Sequence, residues 1–374
     1  MSIGKLKQDQ YLNMLNPHEG AVPAAKQEVF QRLMSGTAVP IYVLGRNKYA
    51  ERVSRRVPIQ AFIDDFTDDK SYLDKPVIRM ADLPSHSLVV SCVVAGNSLT
   101  ALERLHAAGV RQAIDYFALT RLAPEIFAPV DYCAGNRQDI IENAPRYEWV
   151  CNLLADEVSK RHFEKVVRFR LSMDVEHMRG FTLAINKQYF EPFLPRNPDE
   201  VFVDGGGYDG QTSLQFAAWN KAYQRIYYFE PAPAMMEVSR RNLAGLREVS
   251  FLQKGLFSRR DRLRFDTGSG QASSISATGQ SEIEVVRLDD EVHETITFLK
   301  LDIEGAEFDA LQGAAEHIRS ASPTMAVCIY HDQRDFWRVP LWVLEINDRY
   351  DVYIRHYTQG VHETVMFFVP KASG

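Results

Sequence analysis

Two acidic residues, Asp204 and Glu230, each close a short apolar strand, and the glycine-rich turn GGGYDG lies between them. The turn joins VFVD to QTSLQFAAW, a strand to a helix start, which is where a chain presents backbone N–H groups to a bound ligand. Gly206 and Gly210 fit D-x-G-x-x-x-G, while Gly205, Gly207 and Gly210 fit the dinucleotide pattern G-x-G-x-x-G equally well. Glu230 stands where an acid accepts hydrogen bonds from ribose hydroxyls, a feature shared by NAD and S-adenosylmethionine (SAM) sites. Asp204 favours SAM: a carboxylate beside a pyrophosphate is repelled, whereas one near a sulfonium and an α-ammonium is attracted.

Other chemistry-bearing residues fall at later strand ends, and in an open parallel sheet ligands bind beyond those ends. They are Asp302 and Glu304, Tyr330 and His331, Arg355, His356 and Tyr357, with Glu363 opening the last strand. Methyl transfer to a hydroxyl needs alignment, exclusion of water and a base for one proton. His331 is the expected base, since an imidazole titrates near neutral pH, with Asp302 and Glu304 as competitors. Tyr189, Arg355, His356 and Glu363 are expected to contact substrate. Arg355 and His356 could instead cap the final hairpin, and Tyr189 and Phe190 could close over SAM or pack in the core. Asp302, Glu304 and His331 also form an O/O/N set able to hold Mg²⁺ or Mn²⁺, but the expected chemistry is metal-independent.

These residues need a scaffold, and the apolar pattern supplies one. From Val201 onward strands are predicted at VFVDG, RIYYFEP, VSFLQKG, ITFLKLDIEG, TMAVCIYH, YDVYIRHY and ETVMFFVP. Helical stretches separate all but the last two, whose TQGVH connection suits a hairpin. The expectation is an α/β fold with six parallel strands and a reversed final strand, the layout of a class I methyltransferase sheet. A smaller Rossmann-like α/β domain precedes it, with strands at VPIYVL, IQAFIDD, SLVVSCVV and RQAIDYFAL. The boundaries read as a helical lead-in over 1–24, this first domain over 25–122, a helical bridge over 123–195 and the SAM domain over 196–374. Residues 267–282, rich in Gly, Ser and Thr, read as a mobile loop or lid.

The stretches VFVDGGGYDGQTS, YYFEPAP, VVRLDDEV and FLKLDIEGAEFDALQGA together resemble the FkbM-type methyltransferases over about residues 185–370. KLDIEGAE is the most specific of them, similar to the family's K-x-D-x-E-G-x-E. The resemblance implies SAM held by Asp204, Gly205, Gly206, Gly207, Gly210, Thr212, Glu230, Pro231, Gly255, Leu256 and Asp302. It also implies O-methylation of a sugar, polysaccharide precursor or secondary metabolite. Tyr208 and Asp209 depart from the small residue and asparagine common at those places. No acid follows the third strand, which leaves Lys254, Gly255 and Leu256 to meet the adenine.

Bulk properties narrow the partners. A chain of 374 residues, 45% hydrophobic and 25% charged, is long enough for two domains with buried cores. A net charge of −6 gives no general attraction for phosphate backbones or anionic membranes. The expected partner is therefore a small molecule or glycan, with neither nucleic acid nor membrane, and a homo-oligomer is left open. Cys92, Cys133, Cys151 and Cys328 are scattered and read as free thiols, and no leader or membrane-spanning run is evident, so the expected location is cytoplasmic. In the first domain Gly45, Asn47 and Ala50, with Asp64 and Asp65 further on, form a degenerate dinucleotide fingerprint. Such a module either binds a nucleotide sugar or only shapes a dimer. The competing functions are a NAD-linked oxidoreductase and a non-catalytic nucleotide-binding scaffold.

Overall fold

The computed structural model describes residues 21–36, 38–266, 274–275 and 281–372. Most of the expected lead-in over 1–24, and most of the expected lid over 267–282, lie outside them.

The first sheet contains β1 (Ile41–Leu44), β2 (Ile59–Ile63), β3 (Ser71–Tyr72), β4 (Lys75–Ile78), β5 (Leu88–Ser91) and β6 (Gln112–Asp115), in the order β3-β4-β2-β1-β5-β6. Only β3 and β4 pair antiparallel. Both β1 and β5 are buried along their whole length, as expected of strands covered by helices on both faces. The expected strand RQAIDYFAL is shorter than its apolar run. It ends at Asp115, whose carboxylate accepts from the backbone N–H of Ala118 at 3.0 Å and caps a helix over Tyr116–Leu122. A good N-cap here outweighs the strand preference of Tyr-Phe.

Three helices, Asn136–Glu142, Ala144–Leu153 and Glu157–Ser172, lie in the bridge. The last is amphipathic and packs on the outer strand of the second sheet, where Leu154 also bridges to Val352.

The second sheet is built from β7 (Val201–Gly205), β8 (Arg225–Phe229), β9 (Val249–Leu252), and, after a separate small sheet, β14 (Phe298–Leu301), β15 (Thr324–Cys328), β16 (Tyr350–His356) and β17 (Thr364–Pro370). Its order is β16-β17-β15-β14-β7-β8-β9, with β17 antiparallel to both neighbours and every other pairing parallel. This is the expected seven-stranded layout. Strand order reverses between β7 and β14, so the crevice beyond their carboxyl ends is the place a ligand enters such a sheet. Their register sets Asp204 opposite Lys300 and Gly205 opposite Leu301.

The small sheet went unforeseen. It comprises β10 (Gly255–Leu256), β11 (Asp261–Asp266), β12 (Ser274–Ile275) and β13 (Ser281–Val286), in the order β10-β13-β11-β12. Alternation in β13 turns Ile283 and Val285 inward and leaves Glu282 exposed. Residues 281–282 of the expected lid therefore belong to a strand.

Candidate active site

A cavity of about 520 Å³ opens beyond the ends of β7, β8 and β14, a volume typical of small-molecule sites. Its floor is the glycine turn. Gly206 has φ of +74°, and a Cβ there would lie 1.9 Å from the carbonyl oxygen of Asp302, so any side chain would force β7 and β14 apart. Gly206, Gly207 and Thr212 line the cavity, while Gly205 and Gly210 stand beneath it and shape the turn.

Asp204 is the main correction. Its carboxylate is fully buried and does not reach the cavity. Lys300 Nζ lies 3.1 Å from Oδ1, and Ser213 Oγ donates to Oδ2 at 2.7 Å. The same ammonium donates to the carbonyls of Gly205 at 3.1 Å and Gly206 at 2.7 Å. Asp204 thus fixes the turn through Lys300 and does not line the cavity. Burial pulls the Lys300 pKa down, but the charges of Asp204 and Asp302 outweigh it and hold the ammonium protonated. Lysine on a central strand among apolar neighbours was the available signal for this pair.

Glu230 lines the cavity as expected. Its Oε1 accepts from Ala232 N at 2.8 Å and its Oε2 from Tyr208 N at 3.0 Å, so both oxygens are fixed in place. Burial pushes its pKa up to about 6, although those two N–H groups and Lys300 oppose the shift. Pro231, Lys254, Gly255 and Leu256 line the neighbouring wall, joined by Ile283 and Val285 of the unforeseen sheet.

At the other end stand Asp302, Glu304, Glu363, Tyr189 and Tyr330. Tyr189 OH donates to Asp302 Oδ2 at 2.7 Å and Tyr330 OH to Oδ1 at 3.3 Å. Burial raises the Asp302 pKa, but the charges of Lys300 and His331 outweigh it, so the group stays below the usual range. Gln188, missed in the sequence, donates to both Tyr189 OH at 3.0 Å and Glu363 Oε2 at 2.6 Å. Glu363 is pushed up to about 7 by burial and by the charge of Asp302. Tyr132, also missed, reaches in from the bridge and donates to Glu304 Oε2 at 2.6 Å.

His331 does not fit the role of base. Its ring is 1% exposed and stands behind the residues that line the cavity. Burial lowers its pKa, but Glu307, Glu304 and Asp302 overwhelm that effect and hold it well above the usual imidazole value. The same carboxylates favour its protonated form, which has no free lone pair to accept a proton.

Arg355 and His356 also leave the substrate site. They end β16, the outermost strand, and so meet the bridge helix instead of the cavity. Arg355 pairs with Asp156 at 2.8 Å and bonds Ser159 Oγ at 2.8 Å. The buried His356 contacts Thr364 Oγ1 at 2.9 Å, and burial drives its pKa down to about 3. Tyr357 donates to Glu191 at 2.7 Å, and Phe190 packs among Phe202, Phe216 and Trp219.

The fingerprint of the first domain is occupied by its own side chains. Asn47 Oδ1 caps the following helix by accepting from Tyr49 N and Ala50 N, both at 3.0 Å. Asp64 pairs with Arg46 at 2.8 Å and Asp65 with Arg104 at 2.6 Å. Beyond β5, the tip of the β16–β17 hairpin fills the space: Gln359 Oε1 accepts from Thr100 N at 2.9 Å, at the start of the helix Ser98–Ala107. No helix among the described residues is long and apolar enough to cross a membrane.

Residues 204–359 match the methyltransferase FkbM domain family. Nearly the whole fold is similar to that of methyltransferase FkbM from Methylobacillus flagellatus KT, with a TM-score of 0.75 at 23% identity, over 96% of this chain and 98% of that one. An rRNA methylase from Streptococcus thermophilus overlays 47% of this chain and 89% of its own, at 15% identity and a TM-score of 0.32. Aeropyrum pernix fibrillarin, in complex with natively bound S-adenosyl-L-methionine, overlays 50% of this chain and 72% of its own, at 12% identity and 0.31. The last two overlaps are too loose to carry weight. No curated protein matches the chain.

Proposed function

From a chain that carries a methyltransferase FkbM domain over residues 204–359, we propose a SAM-dependent methyltransferase that acts on a hydroxyl of a small molecule or glycan. What supports SAM is the charge of the cavity. Its lining holds five carboxylates, Asp209, Glu230, Asp302, Glu304 and Glu363, and two lysines. Both lysines are already committed to acids outside the lining: Lys300 to Asp204, and Lys254 to Glu291 at 2.8 Å. That surplus repels a pyrophosphate and attracts a sulfonium and an ammonium. The wall of acids, and not the buried Asp204, presents this charge to a ligand, which disfavours the NAD-linked reading.

Glu230 would hold the ribose hydroxyls, and Gly255, Leu256, Ile283 and Val285 the adenine. Asp302 and Tyr189 would stand nearest the methionine end. When bound, SAM supplies an electrophilic methyl: the acceptor oxygen's lone pair forms the new C–O bond as the C–S bond breaks. Glu363 takes the hydroxyl proton. It lines the cavity, its carboxylate is oriented by Gln188, and its pKa near 7 suits a base. A sugar or polysaccharide precursor is the acceptor class that the FkbM resemblance favours. Calorimetry with S-adenosylhomocysteine and with NADH tests this reading, which expects the first to bind and the second not to.

A further inference from the structure

Arg170 has no place in that scheme, yet it is a charged side chain with 0% exposure. It stands on the bridge helix Glu157–Ser172 and does not line the cavity. Its Nη1 donates to the carbonyl of Tyr132 at 3.3 Å and to Gln333 Oε1 at 3.0 Å. Its Nη2 donates to the carbonyls of Tyr330 at 2.9 Å and Val361 at 2.8 Å. The ring of Phe336 lies 5.0 Å from the guanidinium carbon. The charge is thus met by four neutral oxygens and an aromatic face. Burying a cation in this way costs free energy that an apolar side chain would not, so the groups it joins must account for it.

The three carbonyls belong to segments far apart in sequence, and each segment delivers a group to the end of the cavity that holds Asp302, Glu304 and Glu363. Tyr132 comes from the bridge, and its hydroxyl donates to Glu304. Tyr330 follows β15, and its hydroxyl donates to Asp302. Val361 lies in the β16–β17 turn, two residues before Glu363. A ladder bond from Ile329 N to the Thr364 carbonyl, at 3.0 Å, joins the chains of β15 and β17, and past it Nη2 continues the connection. The backbone here is strained: φ is +60° at Tyr132, +57° at Glu304 and +67° at Glu363. Non-glycine residues keep such left-handed conformations only where their surroundings over-determine them.

We propose that Arg170 is a positioning residue, whose guanidinium holds the carbonyls of Tyr132, Tyr330 and Val361 together and thereby sets where Glu304, Asp302 and Glu363 stand in the cavity. Arginine suits this task because it offers five donors in one rigid plane, whereas lysine offers a single nitrogen and an amide two donors. Movement of any one segment is passed to the other two through that plane. The effect on turnover rests on the proposed function, in which Glu363 is the base; the placement of the three acids does not.

The test is carbon-13 NMR of the full-length protein labelled at the glutamate carboxyl carbon, with the Glu363 signal identified by its absence in Glu363→Gln. Glu363 is faced by Asp302, Gln188, His331 and Glu304, and its midpoint in the wild type is expected near 7. Arg170→Lys keeps the charge but presents one nitrogen to four oxygens. It should lower the midpoint by about one unit or more, toward the ordinary glutamate value, as water reaches the carboxylate. Val166→Ala changes a buried position on the same helix that makes none of these bonds, and should lower the melting temperature while leaving the midpoint in place. Should Arg170→Lys fail to fold, Gln333→Ala, which withdraws the oxygen that shares Nη1 with Tyr132, should lower the midpoint by a smaller amount. A midpoint unmoved or raised in whichever variant folds, or lowered equally by Val166→Ala, overturns the proposal. S-adenosylhomocysteine calorimetry on the wild type separates the two claims. Failure to bind sinks the proposed function and leaves the clamp, whereas binding beside a midpoint that Arg170→Lys does not lower sinks only the clamp.

Discussion

Lys300 lies opposite Asp204 across the β7–β14 pairing, and its ammonium bridges the Asp204 carboxylate and the carbonyl of Gly206. One buried cation therefore neutralises the strand-end acid and braces the turn on which the cavity rests. Lys300→Met leaves Asp204 buried without a counter-charge, held only by Ser213, and should cost about 3–5 kcal/mol. Adding Asp204→Asn should recover part of that loss. Denaturant melts of both single variants and the double variant measure it, and strictly additive losses would show that the two groups are not coupled.

Cofactor affinity should depend on pH through Glu230. Burial raises this acid to about 6, and its ionised form is the proposed acceptor for ribose hydroxyls. Affinity for S-adenosylhomocysteine should be flat above pH 6 and fall roughly tenfold per unit below it. Glu230→Gln should weaken binding and remove this slope. A wild-type affinity unchanged between pH 7 and pH 5 would exclude Glu230 from the site.

Catalysis should follow the ionisation of Glu363. A base raised to about 7 is mostly protonated below that value, so kcat should rise with pH and level off above it. Glu363→Gln should lower kcat by roughly 10²–10⁴-fold and abolish the acidic limb while leaving S-adenosylhomocysteine binding intact. His331→Gln retaining that limb would agree with this assignment; loss of the limb in His331→Gln would return the base to the histidine.

The hairpin tip ties the two sheets together. A Cβ on Gly360 would lie 2.4 Å from the carbonyl oxygen of Val94 and 2.5 Å from that of Ala95, both backbone atoms with little room to yield. Gly360→Ala should therefore push the hairpin out of the first domain and cost at least about 1–3 kcal/mol. Because Glu363 lies three residues on, kcat should fall with stability. A melting temperature equal to the wild type would show that this contact bears no strain.

Much of the fold was legible because buried parallel strands announce themselves as apolar runs: all seven strands of the second sheet and the reversal of the last follow from the sequence. The small sheet was hidden by the Gly/Ser-rich stretch between β11 and β13, although SEIEVV alternates as a half-buried strand should. Residues contributed by a turn or strand end near the glycine loop, such as Glu230, Asp302 and Glu363, fell where expected. Those that failed did so for reasons sequence spacing cannot express. Asp204 has a buried counter-ion on the adjacent strand, Arg355 and His356 end a strand that faces the bridge, and His331 shares its space with three acids. Tyr132 and Gln188 come from segments without any motif, so only the tertiary fold reveals them.

The most direct measurement is a side-by-side titration of the full-length protein with S-adenosylhomocysteine and NADH at neutral pH, monitored by calorimetry. A cavity with surplus carboxylates and no uncommitted lysine should take up S-adenosylhomocysteine with about micromolar affinity and leave NADH unbound. Saturable NADH binding, with S-adenosylhomocysteine failing to bind or compete, would contradict the assignment of this cavity to a methyl donor.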